Sequence, residues 1–135
     1  MKEKMNNKGF SLVELIIVIA IMAILVGVLA PQFIKYVERS RMSTDMQNVE
    51  SYKTALEAYI ADSGDMTSAT ITVSGGATGS ITAAPSTALD GVAASTALKS
   101  KTWPSATYSY SATGWNSQAC ANTANTSYDI GSIFH

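Results

Sequence analysis

Few residues in this chain have the type and spacing to do chemistry, and what is present excludes most kinds of it. Among 135 residues there is one cysteine, Cys120, and one histidine, His135, the last residue. One cysteine cannot close an internal disulfide, and neither a Cys/His metal set nor a nucleophile–base pair can be assembled from this inventory. No metal, cofactor or catalytic residue is therefore expected. Gly75, Gly76 and Gly79 loosely suggest a phosphate-binding loop, but no apolar helix follows them, and SGGATG reads instead as a turn between two strands. Asn125-Thr126-Ser127 matches a glycosylation sequon, a three-residue pattern of low specificity. With 9 basic and 10 acidic residues the net charge is −1, which gives no basic field for nucleic acid.

One residue stands out. Phe10 to Ala30, FSLVELIIVIAIMAILVGVLA, holds 21 residues and a single charge, Glu14. As a helix it would run about 31 Å, close to one bilayer core. At a bilayer centre an acidic side chain costs about 2.5–3.5 kcal/mol, so such a carboxylate usually has a partner. One partner is local. Ser11 and Glu14 have the S-x-x-E spacing of a capping box, which would start a helix at Leu12 and place the carboxylate at the positive end of its dipole. No Lys or Arg lies between Phe10 and Ile34, so any cation for Glu14 must come from elsewhere.

The elements around it follow in order. Residues 1–9 form a short polar leader with Lys2, Lys4 and Lys8, like a secretory n-region, but the apolar run exceeds an ordinary h-region of about 7–15 residues. A cut after Ala30 would leave Pro31 first, a poor signal-peptidase product, so the run is expected to stay in the mature protein. The leader's three lysines face Lys35, Arg39 and Arg41 on the far flank, so charge counting does not orient the segment. Pro31 lacks an N–H and crowds the carbonyl of Gly27, itself a poor helix former, which makes Gly27 to Pro31 one weak point in a long helix. From Gln32 to Ala61 there is no Gly or Pro. Met42, Met46, Val49, Tyr52, Leu56, Tyr59 and Ile60 recur on one helical face, with Asp45, Glu50, Lys53 and Glu57 read as mostly off it. A Met/Tyr stripe of this kind is core before it is a cofactor site. Asp62 to Asp65 stop the helix.

Beyond that point the composition shifts: 63–135 contain 25 Ser or Thr and five charged residues. Thr70 to Val73, Ser80 to Thr82, Thr107 to Ala112 and Ser127 to Phe134 are strand candidates, and Thr87 and Asp90 could cap a short helix through Leu98. Trp103, Trp115, Tyr108 and Tyr110 are expected to pack on the Met/Tyr stripe. Cys120, with uncharged neighbours, is expected to be a buried structural thiol.

Lys8-Gly9-Phe10-Ser11-Leu12-Val13-Glu14, followed by the apolar run and Pro31, resembles the type IV pilin N-terminus. The resemblance covers residues 1–62. It implies an α+β fold in which a long N-terminal α-helix packs its second half against a small antiparallel β-sheet head. The corresponding division is leader 1–9, transmembrane and assembly helix 10–31, amphipathic stem 32–62 and Ser/Thr-rich head 63–135. It also implies that a prepilin peptidase cuts between Gly9 and Phe10 on the cytoplasmic side and N-methylates the new Phe10 amine. That amine would be the partner of Glu14 on a neighbouring subunit. Family filaments lose helix near Gly27 and Pro31, which marks those residues as a hinge. Many family members fasten the C-terminus with a disulfide, and this chain cannot.

The function so implied is a non-enzymatic structural subunit that self-assembles into a surface pilus. Its partners would be copies of itself, the peptidase, the assembly machinery and, beforehand, the membrane. Its path would run from a single-pass precursor in the cytoplasmic membrane to an extracellular filament. A pseudopilin of a type II secretion or DNA-uptake system shares the N-terminus. Its family's C-terminal calcium site would need 6–8 oxygen ligands, where this tail offers Asp129. A membrane-anchored binding domain is the third alternative.

Overall fold

A computed structural model describes residues 9–65, 69–92, 95–116 and 118–134. One helix, α1 (Leu12–Ser63), is followed by strands β1 (Thr70–Ser74), β2 (Ser80–Ala84), β3 (Ala106–Ser111) and β4 (Gly114–Trp115). The strands form one antiparallel sheet in the order β2-β1-β3-β4. The arrangement is α+β, as the sequence leads one to expect. The chain divides into two compact units, residues 1–37 and 38–135.

In the first unit the described residues from Leu12 onward are helix, with no core. Side chains from Phe10 to Tyr36 are exposed on every side, Phe10 at 93%. A helix apolar all round is stable only where something other than water surrounds it. By length and composition α1 is the one helix among the described residues that could cross a membrane. It continues through Gly27 and Pro31 without interruption.

The second unit has the core. Met42, Val49, Tyr52, Leu56 and Ile60 are buried, so the predicted stripe is the face that packs. Against it lie Ile71 and Val73 of β1, Ile81 of β2, and Ala106 and Tyr108 of β3, in one cluster with Trp103, Cys120, Ile130 and Phe134. The strands alternate as period-2 patterning requires: Ile71 and Val73 point in, while Thr72 and Ser74 point out. The β1–β2 hairpin pairs Ser74 with Ser80, and SGGATG is its turn. Gly75 is obligatory there, because a Cβ would sit 1.8 Å from the Trp103 carbonyl oxygen.

Three expectations are corrected. Asp45 is fully buried. It falls three residues after Met42 and four before Val49, so it lies on the apolar stripe and not off it. Among the described residues no helix runs from Thr87 to Leu98. A 3-10 turn spans Ser86–Leu89, and Gly91, at φ +80°, turns the chain out of it. The chain then zips onto β2, with Ile81 N–H donating to Thr96 O at 2.6 Å and Leu98 N–H donating to Gly79 O at 3.0 Å. Ser127 to Phe134 is not a strand. Asp129 makes an isolated bridge with Ala121, and Ile130–Phe134 is a 3-10 turn. There the Ser132 hydroxyl donates to Asp129 O at 2.7 Å, a local bond that competes with a ladder.

Candidate functional site: the capped N-terminus

Gly9 and Phe10 precede the helix and are exposed. Ser11 is the N-cap. Its hydroxyl accepts from Val13 N–H at 3.3 Å, and its own N–H donates to Glu14 Oε2 at 2.8 Å. The first helical bond, from Leu15 N–H to Ser11 O, is 3.2 Å. Serine and glutamate thus satisfy each other's end of the helix, with the carboxylate at the positive pole of the dipole. In the single chain, therefore, Glu14 caps its own helix. Glu14 Oε1 accepts no hydrogen bond among the described residues, so the carboxylate has capacity for a second donor. The sequence-derived residues separate into two places along α1: Gly9, Phe10 and Glu14 share its N-terminal end, while Gly27 and Pro31 lie in its lipid-length middle. Among the described residues no group of three His, Cys, Asp or Glu could hold a metal.

The second unit is held by residues that the sequence reading passed over. The Asp45 carboxylate accepts from Lys99 N–H at 2.6 Å, Ser100 N–H at 2.8 Å and Trp103 Nε1–H at 2.9 Å. One buried side chain from the helix therefore fixes the whole 99–103 loop. Two turns earlier, Glu38 accepts from the Ser100 hydroxyl at 2.6 Å. Thr102 in turn donates to Asn122 Oδ1 at 2.8 Å, which carries the network to the C-terminal segment.

That segment is fastened without a disulfide. Asp129 Oδ1 accepts from both Cys120 N–H and Gly131 N–H at 2.8 Å. Ile130 N–H donates to Cys120 O at 3.2 Å and Thr123 N–H to Thr102 O at 3.0 Å. Phe134 stacks on Tyr108 at 3.9 Å between ring centroids, and Lys53 Nζ donates to Ile133 O at 2.9 Å. An open crevice of about 450 Å³ beside Trp115 is lined by Lys53 and Glu57. Those two pair with each other at 3.6 Å, and Trp115 Nε1–H also donates to Glu57, at 2.9 Å.

Cys120 is fully buried, as expected of a structural thiol. Burial pushes its pKa up, Asp129 adds to the rise, and Tyr108 opposes it. Burial raises Tyr108 strongly and Tyr52 as well. The Tyr108 hydroxyl lies near Cys120, yet no atom among the described residues meets it in hydrogen-bond geometry. A thiol kept protonated is a poor nucleophile.

The family model for the prokaryotic N-terminal methylation motif matches residues 4–30. The type IV major fimbrial protein FimA of Dichelobacter nodosus is 41% identical over 59 residues, which are 44% of this chain and 38% of that protein. The type IV major pilin protein PilA of Myxococcus xanthus is 39% identical over 57 residues, 42% of this chain and 26% of that protein. The prepilin peptidase-dependent protein A of Clostridium perfringens is 38% identical over 77 residues, 54% of this chain and 55% of that protein. The chain thus matches well under two thirds of the length of these relatives, and no solved structure matches it. The resemblance to type IV pilins with an N-terminal methylation motif holds, and similarity reaches past the motif itself.

Proposed function

We propose that this chain is a structural pilin, a subunit that polymerises through its N-terminal helix into a filament on the cell surface. One observation carries the reading: an apolar helix bare on every face has, near its start and within the residues that match the methylation motif, a single carboxylate. Such a surface is built to be covered along its length, first by lipid and then by copies of itself.

In this reading a prepilin peptidase removes residues 1–9 on the cytoplasmic side and methylates the Phe10 amine. The Clostridium perfringens relative carries dependence on that peptidase in its name. The cationic amine of one subunit pairs with Glu14 of the next. This fixes the axial offset as residues 10–31 leave the lipid for the filament core. Gly27 and Pro31 open there, since proline has already removed the bond to the Gly27 carbonyl. The stem, 32–62, and the head, 63–135, form the folded part outside. The work is assembly, and the partners are further copies, the peptidase, the assembly machinery and the membrane.

The test is mass spectrometry of filaments sheared from cells. It should find Phe10 as the first residue with one added methyl. A mature chain beginning at Met1 or Pro31, or cells whose filaments persist when the gene is deleted, would refute the reading.

A further inference from the structure

The sheet has two edge problems, and the chain solves them differently. The outer edge of β2 is covered by backbone, since residues 96–98 bond to Gly79 and Ile81. The far edge of β3 has only β4, two residues long, which pairs with Tyr110 and Ser111. Tyr110 N–H donates to Ala69 O at 2.9 Å. By strand alternation Ala106 and Tyr108 also turn their main-chain groups toward β1, while Thr107 and Ser109 turn theirs toward the far edge. Both residues are exposed, and β3, ATYSYS, contains no lysine, proline or other charge to repel an incoming strand.

Asn116 occupies that edge. Its backbone N–H donates to Ser109 O at 3.0 Å. Its side-chain Oδ1 accepts from Ser109 N–H at 2.7 Å, and its Nδ2 donates to Thr107 O at 3.4 Å. A carboxamide has the donor and acceptor pattern of a peptide unit. One residue therefore presents to β3 what two residues of a longer β4 would present.

We propose that Asn116 is an edge guard: it occupies the Thr107 carbonyl and the Ser109 N–H and carbonyl, which would otherwise receive a strand from a second copy of this chain. The second copy is the occupant that the chemistry favours. Two β3 strands meeting antiparallel about a two-fold axis present the same uncharged Ser/Thr edge to each other, a self-complementary contact that closes as a dimer. The inference is independent of the filament reading, because it concerns the folded unit of a dispersed chain.

The experiment uses the full-length protein in detergent micelles, followed by sedimentation at increasing protein concentration. Asn116→Ala should raise self-association at least tenfold over the unaltered chain, and at dilutions where it is monomeric the Ser109 amide should lose its protection from hydrogen exchange. Thr107→Pro is the second variant. The Thr107 N–H points away from β1, so proline removes an edge donor without removing a β1–β3 bond. Asn116→Ala combined with Thr107→Pro should return the chain to monomer. If Asn116→Ala stays monomeric at concentrations where the unaltered chain does, the proposal is wrong. Association that Thr107→Pro fails to reverse, as simple unfolding or another surface would give, overturns it equally.

Discussion

Trp103 donates its indole N–H to the Asp45 carboxylate at 2.9 Å, with both residues sealed from solvent. The bond joins a loop of the sheet layer to the helix across 58 residues of sequence. With the two amide donors of Lys99 and Ser100, it makes Asp45 the point through which the helix specifies the path of the chain into β3.

Asp45→Ala should therefore be among the most damaging single changes in the second unit. It leaves three donors unpaired, two of them buried, and each buried orphan costs about 1–3 kcal/mol. A loss of about 3 kcal/mol or more should lower the melting temperature by roughly 12 °C or more for a unit of this size. Asp45→Asn keeps one acceptor and should cost less. Thermal unfolding followed by circular dichroism gives the comparison. A shift below about 4 °C for Asp45→Ala would mean that the loop holds its place by packing.

Asp45 also shows where sequence reading stops. Its spacing from Met42 and Val49 is that of a core residue, but its charge argues for the surface. Only the position of Trp103 and of two backbone amides, more than 50 residues away, resolves the conflict. The helix, the β1–β2 hairpin and β3 were legible because helical period, strand alternation and turn residues are local. The segments at Thr87 to Leu98 and Ser127 to Phe134 were not. Their backbone is decided by the β2 edge in one case and by the Asp129 carboxylate in the other. Nothing in the sequence around Asn116 signals an edge contact. The N-terminal cap was readable from Ser11 and Glu14 alone, because both partners lie within one turn.

The alkaline limit of the second unit should be set by Cys120, Tyr108 and Tyr52. Burial raises all three above their ordinary values, 9.0 for the thiol and 10.0 for the phenols. A group whose folded pKa is raised contributes stability that is fully present below its unfolded pKa and is lost as pH rises toward the folded one. Stability should thus be flat in this respect up to about pH 9 and fall above it, more steeply past pH 10. Tyr108→Phe should flatten the upper part of that fall. It also removes a buried hydroxyl without a bonded partner, so at pH 7 it should cost nothing or stabilise by up to about 1 kcal/mol. Urea midpoints at pH 7, 9 and 10.5 decide the point, and an unchanged slope in Tyr108→Phe would count against it.

Gly27 and Pro31 should govern how easily α1 opens. In the single chain the helix passes through both. Proline leaves the Gly27 carbonyl without its helical donor, so opening there forfeits less than elsewhere. Gly27→Ala should favour the closed helix by about 1 kcal/mol. In the filament this predicts slower assembly without loss of membrane insertion. A filament map with unbroken helix from Leu12 to Ala61 would contradict the hinge.

Glu14 decides whether the cap is the whole story. In the single chain the carboxylate caps its own helix through Ser11, and that role alone is worth about 0.5–2 kcal/mol. In a water-poor filament core an ionised carboxylate also needs a cation, and residues 11–34 contain none. The cation nearest in sequence is the amine that cleavage would free on Phe10. Within one chain it lies just beyond the cap, whereas a neighbour displaced along the axis can bring its own amine to the free side of the carboxylate. Removing one member of a buried pair costs about 3–5 kcal/mol, because the other charge stays behind unpaired. Glu14→Val makes the segment more apolar, so insertion and cleavage should survive while filaments become rare or absent. Glu14→Asp retains a capping side chain but shortens its reach. Under capping alone it should behave like the unaltered chain, whereas under intersubunit pairing it should assemble poorly. Filaments counted by electron microscopy, with cleavage followed on the same cells, separate the two. Normal filament numbers in both variants would leave Glu14 as a cap and nothing more.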